Sequence, residues 1–217
     1  MTARGWAGAV AILTVSAAIV GCQPTSPDYR AIWTTNQTTT APPAPEKPVP
    51  IWKFLAEAGV TGEPVAPYPL TDLTVSIPTP PGWTRPADAH AAPTTEVIAK
   101  GGTYPKAMLM VFRLKGEFNP TEAIKHGYAD AELAQNFRRL DASLAPFHNF
   151  PSAMIQGSYD AGGTRLHGWN RIVIATGSPP TSQRYLVQLT ITSLATQAVS
   201  QSSEIDAIIA GFVVAAK

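Results

Sequence analysis

Very few residues in this chain could do chemistry. Its 217 residues include four histidines, His90, His126, His148 and His167, and one cysteine, Cys22. His126 and Asp130 stand four apart, which places them on one face if that segment is helical. A metal centre needs two or three such ligands converging, and no HExxH or comparable spacing occurs. Ser158 follows Gly157 in QGSYDAGG, yet the G-x-S-x-G turn that presents a nucleophilic serine is absent. Ser158 is therefore read as a hydrogen-bonding residue at a strand end, Asp160 as a turn former and His126 as a solvated helix residue. Gly101-Gly102 and Gly162-Gly163 lack the GK[ST] tail of a phosphate loop. No catalytic residue, metal ligand or cofactor is assigned, and the chain is not expected to be an enzyme.

Two sets of residues fit binding better. Arg165, His167, Trp169 and Arg171 alternate along one stretch, so a strand would put all four on one face. A cationic, aromatic face of that kind would meet a sugar or a lipid headgroup through stacking and hydrogen bonds. The rival reading is a solvated sheet face with one buried Trp contact. Met108, Met110, Phe112 and Met154 form the second set. These soft side chains would line an adaptable apolar cavity that accepts acyl chains. Ordinary core packing uses the same residues, and the two arrangements look alike in sequence.

The lone thiol has a different use. Arg4 is the only charge before an apolar run from Gly5 to Gly21, shorter than the roughly 20 residues of a spanning helix. A basic start, an apolar middle and small residues at the end make residues 1–21 an export signal. Ile19-Val20-Gly21-Cys22 then matches a bacterial lipobox. The match implies diacylglycerol attached to Cys22 through a thioether, cleavage before it and acylation of the new amine. Each buried methylene contributes about 0.8 kcal/mol, so two or three acyl chains hold firmly where one is marginal. The expected location is the cell membrane, lipid-anchored on the extracytoplasmic face. An acylated Cys22 leaves no thiol for a disulfide, a thiolate metal site or a nucleophile. Without Arg4 the mature chain carries 15 basic and 15 acidic residues. Zero net charge argues against nucleic acid as a partner.

The elements that would position these residues follow the signal. Residues 22–49 combine the lipidated cysteine with a Thr- and Pro-rich segment ending in APPAPEKPVP. Such a composition does not bury enough apolar surface to offset ordering entropy, so it reads as a tether, with threonines suited to O-glycosylation. Residues 50–217 are the right size for one globular domain, expected as a monomer. Pro50 to Gly59 reads as a short helix with Ile51, Phe54, Leu55 and Ala58 on one face. Strands are expected over 73–77, 95–100, 106–114, 152–159, 164–174 and 184–194, with Asp160-Ala161-Gly162-Gly163 as a tight hairpin. In the last strand Tyr185, Val187, Leu189 and Ile191 form one face, and Gln188, Thr190 and Thr192 the other. Asn119-Pro120-Thr121-Glu122 is a helix start. That helix is expected to run to about Leu140, with Ile124, Tyr128, Ala131, Phe137 and Leu140 inward. A final helix carries Ile205, Ile208, Ile209 and Phe212 on one stripe. The fold class is α+β: an antiparallel sheet of five or six strands flanked by helices.

Several stretches carry a family resemblance. LTVSIPTPPGW at 73–83, EIDAIIAGF at 204–212, WKFLAEAGVTGEPVAP, YPKAMLMVFRL, SAMIQGSYD and QRYLVQLTITSLA, with the lipobox and tether, resemble the mycobacterial LpqN/LpqT lipoprotein family. The resemblance covers nearly all of residues 50–217. It implies a fold similar to the Mog1/PsbP group, an α/β/α sandwich around an antiparallel sheet. It also implies a cell-envelope lipoprotein with roles in binding glycolipids or envelope and host proteins. The expected function is a domain that binds a lipid, a glycolipid or a lipidated partner; the alternative is a protein-docking module without a small ligand. The resemblance supplies no catalytic motif.

Overall fold

The computed structural model describes residues 47–86 and 94–217. The signal, Cys22, His90 and all of the tether but its last three residues lie outside the described residues. Helix α1, Ile51–Glu57, starts where Pro50 accepts amide hydrogen bonds from Lys53 and Phe54, and Gly59 at φ 76° ends it. The strands are β1 (Thr61–Val65), β2 (Leu73–Ser76), β3 (Thr95–Ala99), β4 (Lys106–Lys115), β5 (Arg138–Ser143), β6 (Ser152–Ala161), β7 (Thr164–Thr176), β8 (Arg184–Leu194) and β9 (Val213–Ala216). Short helices α2 (Pro120–Ala123) and α3 (Ala129–Glu132) flank a 3-10 turn at Ile124–His126, and α4 is Ser202–Ala210.

The main sheet is antiparallel and has seven strands, in the order β1-β4-β8-β7-β6-β5, with β3 beside the other half of β4. A two-stranded sheet, β2-β9, lies apart from it. The α+β class stands, and the strand count is higher than the five or six expected. Three strands escaped periodicity. β1 contains Gly62 and Pro64 and is almost wholly exposed, and proline is tolerated there because β1 is an edge. β9 follows α4 after only two residues. β5 lies inside the segment expected to be helical.

That segment is the main departure. A helix from Asn119 to about Leu140 does not form. The cap itself is as expected, with the Asn119 side chain accepting from the Thr121 and Glu122 amides at 2.9 and 3.3 Å. At Gly127 the backbone sits directly on the sheet, where a Cβ would come within 2.6 Å of the Ala153 methyl. Asn136 then takes φ 52°, and the chain enters β5. Leu140, expected inward, is 64% exposed.

Each face of the main sheet has its own cover. On one face Leu109, Val111, Trp169, Val173, Val187 and Leu189 pack against Ile205 and Ile208 of α4 and Val75 and Val214 of the small sheet. On the other, Leu114, Ile172, Ile174 and Leu186 pack against Ile51 and Leu55 of α1 and Ile124 of the 3-10 turn. The hairpin between β6 and β7 closes on Gly162 and Gly163, both at positive φ, as a two-residue turn requires.

Candidate functional site

The α1 face of the sheet changes character along its strands. On β8 the inward series runs Leu186, Gln188, Thr190, and on β7 beside it Ile174, Ile172, Asn170, Gly168. On β4 the cross-strand partners are Phe112 opposite Leu186, Met110 opposite Gln188 and Met108 opposite Thr190. The apolar end lies under α1. The amide and hydroxyl end lies under the short turns that replace the expected helix.

Two cavities follow this gradient. One, of about 340 Å³, is walled by Ile51, Trp52 and Leu55 of α1 with Val60, Phe112, Leu114 and Leu186. The other, of about 260 Å³, is lined by Phe137, Tyr159, Asn170, Thr190 and Ala134 among others. Asp130 and Gln188 border both, so the two spaces form one cleft. Tyr159 leans over Gly168, whose absent side chain leaves room for the ring. Among the described residues Asp130 carries the one carboxyl on either wall. Asp130 is solvent-exposed at the edge of the cleft, and partial desolvation there raises its carboxyl pKa above the ordinary value.

The expected binding residues divide between the two faces. Arg165, His167, Trp169 and Arg171 do share one face, the α4 face, opposite Asp160, Ser158, Gln156 and Met154 of β6. They do not form a free cationic surface. Arg165 pairs with Asp160 at 3.0 Å and donates to the Ser158 hydroxyl at 2.6 Å and the Asn136 carbonyl at 2.9 Å. Arg171 donates to the Ser152 hydroxyl and lies between the Phe147 and Trp169 rings, 4.7 and 5.5 Å from their centres. Burial lowers the pKa of Arg171 and of His167. His167 contacts the Gln156 amide at 2.9 Å. With Trp169 it floors a groove of about 650 Å³ beside α4, edged by Leu140 and Val199.

The second set divides as well. Met108, Met110 and Phe112 lie on the α1 face, and Phe112 walls the apolar cavity. Met154 faces the other way, packed against the α4-side core, so the four do not line one cavity. Asp130, Tyr159, Asn170 and Trp52 were missed as site residues. The available signal was the polar run Gln188, Thr190, Thr192 on one face of an otherwise apolar strand. Among the described residues no three His, Cys, Asp or Glu side chains gather as a metal site would require. No helix among them is long and apolar enough to cross a membrane.

Comparison with known proteins agrees with this architecture. The family described as probable lipoprotein LpqN matches residues 47–215. A putative lipoprotein LpqT of Mycobacterium tuberculosis is 61% identical over 215 residues, covering 99% of this chain and 95% of the relative. The crystal structure of LpqN, a protein involved in cell envelope biogenesis of M. tuberculosis, superposes with a TM-score of 0.65 at 16% identity, over 76% of this chain and 97% of that one. Cyanobacterial PsbP from Synechocystis matches with a TM-score of 0.42 at 11% identity, over 68% of this chain and 95% of that one. The likeness to LpqN is one of fold. The sequence matches establish that the chain belongs to the LpqN family of lipoproteins.

Proposed function

We propose that the chain is an envelope lipoprotein anchored through acylated Cys22, whose domain binds a single-headed amphiphile, a lipid or glycolipid, in the cleft on the α1 face. One observation carries this reading: a cavity walled mostly by apolar side chains adjoins one lined by amide, hydroxyl and aromatic side chains, with Asp130 and Gln188 bordering both. The combined space falls in the range of roughly 300–1,000 Å³ typical of small-molecule sites. The apolar end suits an acyl chain. At the other end Asn170, Gln188 and Thr190 offer hydrogen bonds, while Tyr159 and Phe137 offer ring faces to a sugar. Among the described residues no cationic side chain lines either wall.

Native mass spectrometry of the chain purified from its own envelope tests the reading. A co-purified lipid, or a mass shift with added alkyl glycoside, supports it. If neither is seen, the cleft does not hold an amphiphile.

A second reading, a protein-docking module, draws on the α4 groove. Leu140 and Val199 are 64% and 87% exposed at its rim, above His167 and Trp169. Crosslinking in cells should then recover one dominant partner whose capture is lost in Leu140→Asp. Recovery that is unchanged by that substitution removes the groove from consideration.

A further inference from the structure

Where the tether joins the domain is well defined. The Val49 carbonyl accepts a hydrogen bond from His126 Nδ1 at 3.1 Å, and the His126 ring stacks on Phe54 of α1 at 4.3 Å. The last tether residues are thus fastened to the 3-10 turn immediately before α1 begins. Any anchor upstream of Lys47 is joined to the domain at this one point, beside α1.

At the same place a tryptophan stands in solvent. Trp52 is 63% exposed, whereas Ile51 and Leu55 on either side of it in α1 are buried. Its indole also forms part of the wall of the apolar cavity. Lys53 beside it is paired with Glu57 along the helix, so no concentrated positive charge accompanies it. An indole that is half apolar and carries one N–H donor is the side chain best suited to the boundary between lipid headgroups and acyl chains.

We infer that α1 is a membrane-contact surface, that Trp52 inserts into the bilayer interface, and that the apolar end of the cleft opens there. This inference rests on the cleft reading only for what passes through the opening. The contact itself stands on the tether root and the exposed indole. A bilayer is favoured over a protein partner because the chain leading to an anchor joins the domain beside Trp52 and not at the α4 groove.

The test is quenching of tryptophan fluorescence by lipids brominated along the acyl chain. The full chain is expressed from its own start, so that processing and acylation occur, and reconstituted in phosphatidylcholine vesicles. Trp6 and Trp33 are replaced by phenylalanine, which leaves Trp52 with the buried Trp83 and Trp169. Brominated lipid should quench this chain, and the quenching should be lost when W52F is added. Equal quenching with and without Trp52, or none in either chain, overturns the inference. So does self-association that W52F abolishes, which would assign the indole to a second copy. If no amphiphile binds in mass spectrometry yet Trp52 is quenched, the cleft reading falls and the membrane contact stands.

Discussion

Gly62 offers a direct way to shorten the apolar end of the cleft. It lies in β1 with no side chain and borders the cavity beside Phe112 and Leu114. A Cβ built there would meet Leu114 and Phe112 at 3.7 Å, ordinary van der Waals contact, and its φ is not in the left-handed region. Leucine at this position therefore fits the backbone and projects into space that acyl carbons would occupy. Four added carbons displace about four ligand methylenes, each contributing about 0.8 kcal/mol, so the loss is about 3 kcal/mol, or roughly 10²-fold in affinity. A ligand too short to reach β1 should lose nothing. Glycine also weakens a strand, so Gly62→Leu should leave the unfolding midpoint unchanged or raised, which separates lost binding from lost folding. The assay is titration calorimetry with an alkyl glycoside series of increasing chain length. In the native chain affinity should climb about four-fold per methylene and then level off as the cavity fills. In Gly62→Leu the plateau should arrive several carbons earlier. Identical curves for the two proteins would refute the placement of the acyl chain.

Other outcomes follow from single contacts. Tyr185 is buried and donates to the Asp72 carboxylate at 2.7 Å, with the Thr181 hydroxyl as a second donor at 3.2 Å. Tyr185→Phe leaves that buried carboxylate short of a donor, which should cost about 1–3 kcal/mol in urea unfolding. An unchanged midpoint would mean that water replaces the hydroxyl. Asp130 bears on pH. Partial desolvation at the cleft edge raises its carboxyl pKa above the unfolded value, so between those two values the folded chain keeps a proton that the unfolded chain has released. Stability due to this group therefore falls as pH rises through that window and stays low above it. Asp130→Asn should raise the melting temperature at neutral pH and flatten its pH dependence; a lowered melting temperature would point to a bond that the carboxylate makes when charged. Cys22→Ser should move the chain from the membrane fraction to the soluble one after carbonate washing, and retention there would indicate a different anchor.

The strands that sequence revealed and those it hid differ in physical character. β4, β7 and β8 lie in the middle of the sheet between two packed faces, so their apolar content is dense and their limits are clear. β1 and β5 lie at the edges and bury little, so neither has an apolar alternation to display. In the segment after Asn119 the pattern was genuine as far as it went. Ile124 is buried, and Tyr128, Ala131 and Phe137 are half-buried. Apolar residues three and four apart record which side faces the sheet, and a chain of short turns keeps the same side inward as a helix would. What ends the helix is a backbone-to-sheet approach at Gly127 and a left-handed residue at Asn136. Neither leaves a trace in hydrophobic spacing.

The same break explains why the site was only half legible. Alternation placed Arg165, His167, Trp169 and Arg171 on one face, but it does not report that Asp160, Ser158 and Phe147 already occupy the two arginines. It grouped Met154 with Met108 and Met110 by chemistry, although the three are not on the same face. A continuous helix of some twenty residues would have lain across β4, β8 and β7 and sealed that face with its own side chains. Short turns cover less of it. Gln188, Thr190 and Asn170 are therefore left half-exposed beside an apolar cavity. Polar residues at the centre of a sheet are costly beneath a packed helix and inexpensive beside an open cleft. Their presence in otherwise apolar strands is thus the sequence counterpart of the missing helix, and both lead to one place: the space above Gln188, where an amphiphile's chain would meet its headgroup.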